Sequence, residues 1–392
     1  MPSFAPSNPT HSWNRIDGID LLRGLSIFFV LMNHVNMRLL FAKVPYTQGL
    51  PAQLVSSLVW NGQFGVQIFF VVSGFLITST SLRRWQSLDR LSIRSFYQLR
   101  FARIAPLMLA LLAVLSTLHL CHVDGYTVSD KTGGLGRALL AALTFHINYL
   151  EAARGYLPGN WDILWSLSVE ETFYLFFPLI ARLLSKKQLL LPLLGLFILA
   201  GPFARAKAFN SNPVWREYSY LGGMDAIALG CLTAILLSGR RLSRTAIRIC
   251  AWPGIVLLLF TLCFSIQANR WGLGRNGLDM TILAIGAALA ITAAAQSEWP
   301  APRILAPLKV LGQRSYEIYL THMFAVMALF ALFLRFGKPM PAVPLLFLGA
   351  IAIAGVLGWL VAVFFAEPMN RWLRRRTGAG ESVLGAAMPE VD

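Results

Sequence analysis

Between residues 16 and 366 the chain returns to apolar runs so often that little of it is left to build a water-soluble core. Ten runs approach or reach bilayer-crossing length, at about 18–40, 63–82, 104–121, 163–184, 188–204, 219–238, 250–268, 278–296, 311–334 and 344–366. A backbone surrounded by lipid must satisfy its own amide groups, so runs of this length form helices. A membrane barrel would show shorter, alternating segments instead. Composition agrees: only 13% of residues are charged, against roughly 25% in an ordinary soluble domain. The sequence thus predicts an all-α, polytopic membrane protein of about ten transmembrane helices. The fifth run, LLLPLLGLFILAGPFA, is short and holds prolines. The segment 138–150, ALLAALTFHINYL, is too short to cross and is expected to be interfacial or re-entrant.

The flanks and loops set an orientation. Residues 1–15 are polar and carry no apolar stretch ahead of a small-residue cleavage site, so the first span is expected to serve as the insertion signal. With the N-terminus inside, the cytoplasmic regions receive 22 of the 34 lysines and arginines, which predicts N-in and C-in. Basic loops facing anionic lipid account for most of the net charge of +16 and need no nucleic acid. Residues 16–376 read as one transmembrane domain, between a cytoplasmic segment at 1–15 and a short tail at 377–392 expected to be disordered. Cys121, Cys231, Cys250 and Cys263 lack a metal-ligand spacing and are expected to pack as small apolar groups, with no metal site.

Ionisable residues at membrane depth cost roughly 2.5–3.5 kcal/mol each even on the lenient insertion scale. Inside the first span, IDGIDLLRGLSIFFVLMNHVNMRLL, sit Asp20, Arg23 and His34. Eleven residues at about 100° each bring Arg23 and His34 within about 20° of one helix face, some 16 Å apart along the axis. The fourth span, NWDILWSLSVEETFYLFFPLI, enters from the opposite surface and brings Glu170 and Glu171 to a similar depth as His34. A carboxylate there could orient the imidazole as a general base. Ser166 shares a face with Glu170. Asp225 in the sixth span, and Tyr319 and His322 in the ninth, are further candidates for a supporting cluster. Tyr316 and Glu317 lie on or near the same polar side. Gly65, Ser73 and Gly74 read as small residues for close helix packing. Arg100 and Arg103 stand at the mouth of the third span, where adjacent guanidiniums can grip phosphate oxygens.

Five stretches carry a family resemblance: IDLLRGLSIFFVLMNH, GVQIFFVVSGFLI, RFARIAP, WSLSVEETFYLFFPL and SYEIYLTH. Taken in this order, from about residue 15 to 375, the chain resembles the acyltransferase-3 family of integral membrane acyltransferases. That resemblance implies an acyl-CoA donor, most commonly acetyl-CoA, and transfer from the cytoplasm to a hydroxyl on a cell-surface or exported glycan. It implies a multi-pass protein of the bacterial cytoplasmic membrane. It implies that His34 is catalytic, that Glu170 is the acidic position of its motif, and that Arg23, Arg100 and Arg103 bind the donor. Gly24 stands where many members have Ala, a change expected to matter little, and Thr172 replaces a frequent Gln. Buried histidine and carboxylates would also suit a proton-coupled transporter of a polar lipid or saccharide, and a small-molecule acceptor such as a macrolide would fit equally.

Overall fold

The computed structural model describes residues 16–297 and 299–377. Ten main helices follow the ten apolar runs: α1 (Asp17–Phe41), α2 (Gly62–Trp85), α3 (Ile93–Leu120), α4 (Leu164–Lys186), α5 (Leu190–Arg205), α6 (Tyr220–Leu237), α7 (Arg244–Cys263), α8 (Leu278–Gln296), α9 (Ser315–Arg335) and α10 (Val343–Val361). A last helix, α11 (Glu367–Arg376), is joined to α10 through a π-helical turn. No strand occurs among the described residues. Nine candidate spans there are long and apolar enough to cross a membrane. The expected N-terminal segment at 1–15 and the tail from 378 lie outside the described residues.

The expected fifth span is the exception in length. Helix α5 has 16 residues, which gives about 24 Å of rise against a hydrocarbon core of about 30 Å. It ends at Arg205, which is buried and bonded to Asp225 of α6. The expected helix at 138–150 is instead two short helices, Gly134–Leu143 and Ile147–Arg154. Phe145 between them has a left-handed φ of 57°. The second is tied to the chain before α6, where Asn148 donates to the Tyr218 carbonyl at 3.0 Å.

Helices α1, α2, α6, α8 and α9 form the centre of the bundle, with α3, α7 and α10 more exposed at its edge. Helices α1 and α9 run the same way: Arg23 meets Ser315, and His34 meets His322. Helix α2 runs against α1, with Gly62 beside Asn33 and Gly65 beside the Ser26 carbonyl. Lipid gives no hydrophobic push between helices, so close contact comes from small residues. Gly74 faces the Ile227 carbonyl and Gly230 faces the Val71 carbonyl, so α2 and α6 touch backbone to backbone. Gly24 is similar. A Cβ there would collide with the Leu308 carbonyl, so the expectation that alanine and glycine are interchangeable at this site does not fit the packing. Gly74→Ala is expected to cost about 1–3 kcal/mol through overpacking. A lowered thermal midpoint of the purified variant in detergent is the check, and an unchanged midpoint would contradict the contact.

The helix Ile147–Arg154 carries one buried acid, Glu151, whose Oε1 accepts from the Leu157 amide at 2.9 Å. Burial, and then the nearby Asp162 carboxylate, hold Glu151 well above the ordinary value of 4.5. The folded protein therefore keeps this proton after the unfolded chain has lost it. Stability from this group is fully present below about pH 4.5 and falls as pH rises through the raised folded value. Glu151→Gln cannot ionise, so the downward slope of thermal midpoint above pH 4.5 should flatten in that variant. An identical slope in both proteins would contradict this.

Candidate active site

A cavity of about 330 Å³ lies between α1, α2, α3, α4 and α9. Three arginines approach it from the end of the bundle where α1 begins. Arg23 donates from Nε to Ser315 Oγ at 3.0 Å and has Asp20 at 3.8 Å. Arg103 pairs with the buried Glu317 at 2.9 Å and lies over the Tyr316 ring. Arg100 lies over the Tyr174 ring, 4.5 Å from its centre. Arg100 makes no carboxylate ion pair of that kind among the described residues.

Farther in, Glu170 accepts hydrogen bonds from Ser73 Oγ and from the Tyr174 hydroxyl, the latter at 2.6 Å. Glu171 also lines the cavity, and its Oε1 is sealed with no hydrogen-bond partner. Val66, Phe69, Leu76 and Leu167 make the apolar walls. At the far end the hydroxyls of Ser166 and Tyr319 meet at 2.6 Å. A polar, arginine-marked entrance thus leads into a chamber with a hydroxyl pair at its far end.

His34 and His322 stand beyond that pair and do not line the cavity. The Tyr319 and His322 rings are 5.7 Å apart, and the two imidazoles are 4.9 Å apart. Hydrogen-bond partners assign the tautomers, because a carbonyl can only accept. His322 Nδ1 lies 2.6 Å from the Tyr319 carbonyl, so Nδ1 carries the proton and Nε2 presents a lone pair. His34 Nδ1 lies 2.9 Å from the Val30 carbonyl and 3.3 Å from His322 Nε2, so it donates to both. That leaves His34 Nε2 unprotonated. It has no hydrogen bond within the described residues and is not among the sealed unpaired atoms. Backbone and a second histidine thus preset one nitrogen as a proton acceptor.

Several sequence expectations meet different partners here. His34 and Glu170 do not touch. The span edges suggest similar depth, but Ser166 is level with Tyr319, and Glu170 lies one turn, about 6 Å, nearer the arginines. Ser166 bonds to Tyr319 rather than Glu170. Asp20 sits beside Arg23 as the stripe implies. Tyr319 and His322 join His34, while Glu171 stays with Glu170 at the cavity. Asp225 belongs elsewhere: Arg205 grips both its oxygens, at 2.9 and 2.7 Å, and Thr281 and Gln67 donate to it. It is a structural ion pair outside this cavity. Ser73, a packing residue by its sequence setting, is a ligand of Glu170. Tyr174 is a site residue that sequence reasoning does not single out. The signal for it is its place four residues after Glu170 on the same helix face.

The bundle and its buried polar path define a multi-pass helical membrane protein with an internal site. Residues 16–362 match the family model described as an acyltransferase domain, and the chain belongs to that family. It is 25% identical over 341 residues to the peptidoglycan O-acetyltransferase OatA of Listeria monocytogenes, covering 80% of this chain and 49% of that protein. It is 24% identical over 330 residues to the O-acetyltransferase OatA of Staphylococcus aureus, covering 78% of this chain and 50% of that protein. The chain therefore spans about half the length of these curated relatives. No solved structure gives a significant match.

Proposed function

We propose that this protein is an O-acyltransferase of the bacterial cytoplasmic membrane that moves an acyl group, acetyl by preference, from acyl-CoA to a hydroxyl of a cell-surface or exported glycan. The observation that carries the proposal is His34, its Nδ1 proton tied down and its Nε2 left open, beyond the hydroxyl pair that closes the far end of an arginine-marked cavity. The family and the O-acetyltransferase relatives support acyl transfer, and the named acceptor of one relative supports a glycan. In this reading the protein lies N-in and C-in, with the arginine end in the cytoplasm.

Arg23, Arg100 and Arg103 hold the phosphates of CoA, and the thioester arm lies along the cavity toward Tyr319. Entry to the histidine pair requires the Ser166–Tyr319 contact to part. The acceptor hydroxyl then gives its proton to His34 Nε2 as its oxygen attacks the thioester carbonyl. The C–O bond forms, the C–S bond breaks, and the departing thiolate takes the proton from His34. His322 accepts from His34 Nδ1–H and steadies the cation while it exists. Glu170, held by Ser73 and Tyr174, shapes the electrostatics of the donor chamber rather than touching the base.

A proton-coupled transporter would use the same buried groups but would leave thioester untouched. Mass spectrometry of surface glycans from cells with and without the gene tests the acceptor class. Loss of an O-acyl ester in the deletion is the expected result. Unchanged acylation of every surface glycan would overturn the glycan reading.

A further inference from the structure

The family match ends at residue 362, a few residues before α11 begins. The π-helical turn Ala362–Ala366 joins α11 to α10, and an ion pair between Arg314 and Glu367 holds its first turn. Helix α11 packs along α3, the helix that carries Arg100 and Arg103. It presents Arg371, Arg374, Arg375 and Arg376 against a single acid, Glu367. Arg374 is the member turned toward the bundle. It is half-buried, and it lies within electrostatic reach of Arg84, Arg100 and Arg103.

Such a cluster is unfavourable on its own terms. Like charges brought together out of bulk water repel. Glu317 neutralises Arg103, but among the described residues neither Arg100 nor Arg374 has a carboxylate ion pair. The Nε of Arg374 is moreover sealed with no hydrogen-bond partner. A merely positive cytoplasmic edge would let each guanidinium reach water. Here Arg374 is packed against the helix whose Arg100 and Arg103 line the cavity. A multiply charged anion seated among them would supply the missing charge.

We infer that α11 completes a phosphate-monoester site at the cavity mouth, with Arg374 as its principal ligand and Arg84 and Arg100 beside it. Arg374 does not line the cavity, so it meets the outermost part of whatever enters. Resting on the acyl-CoA reading above, that part is the 3′-phosphate on the adenosine end of the donor. The same chemistry is offered by an anionic lipid headgroup, and the experiment separates the two.

The test is equilibrium binding of CoA and of 3′-dephospho-CoA to the full chain in nanodiscs. One set is made of phosphatidylcholine alone and a second includes phosphatidylglycerol. The wild type should prefer CoA by about tenfold or more, the worth of one charge-assisted contact. Arg374→Ala should lower CoA affinity toward that of the dephospho form and erase the preference. Arg374→Lys should keep most of it, since it retains the charge. Equal wild-type affinity for both nucleotides, or equal weakening of both by Arg374→Ala, would overturn the inference and leave the acyl-CoA reading standing. A preference that vanishes only when phosphatidylglycerol is present, and is insensitive to Arg374→Ala without it, would assign the arginines to lipid and also overturn it. Selective CoA binding without acyl transfer would uphold the phosphate site and sink the transferase reading instead.

Discussion

His34→Ala is expected to lower acyl transfer by about 10²- to 10⁴-fold, the range for loss of a positioned general base. The protein should remain folded. His34 is only part-buried, and its Nδ1 bonds are to its own helix backbone and to His322. Removing it takes one donor from His322 Nε2, a loss of about 1–3 kcal/mol at most. His34→Gln, which fills similar space without a basic nitrogen, should be equally inactive. Initial rates measured on monodisperse protein of each variant are the check. Near-normal transfer by folded His34→Ala would remove His34 from the chemistry.

Asp225→Ala should act on the fold. Arg205 is 8% exposed and Asp225 fully buried, and their two-pronged contact is joined by Thr281 and Gln67. Removing one partner of a buried pair leaves an uncompensated charge and costs about 3–5 kcal/mol. Little folded protein should be recovered, and its thermal midpoint should fall well below that of His34→Ala. Replacing both partners with apolar residues of similar size should restore much of the loss, because no buried charge then remains. Asp225→Ala that folds normally but lacks activity would move this residue into the site.

The fold is legible in the sequence because lipid leaves a chain few choices. Apolar runs at 18–40 or 278–296 can only be helices, and their observed bounds fall within a few residues of those expected. The pattern also gives the short α5 to within two residues, but not that its last residue, Arg205, turns inward to Asp225. The two residues are 20 apart and meet only because α5 and α6 pack together. Within the site, the stripe of Asp20, Arg23 and His34 is legible from helical periodicity alone. The partner of His34 is not. Sequence gives depth along a helix, but azimuth depends on which neighbours surround it, and His322 rather than Glu170 occupies that side. Arg374 gives no signal of its own, because a basic run after a last span looks like any cytoplasmic edge. Only the packing of α11 on α3 sets it near Arg100 and Arg103.

The most direct measurement uses proteoliposomes of the wild type and of His34→Ala, with surface-glycan fragments from the producing cell inside and acetyl-labelled CoA outside. Among molecules whose arginine end faces outward, labelled ester should accumulate on the enclosed glycan, with one CoA thiol released per ester. His34→Ala should stay at background. Thioester consumption at background in the wild type, with the protein folded and so oriented, would contradict acyl transfer as the work of this site.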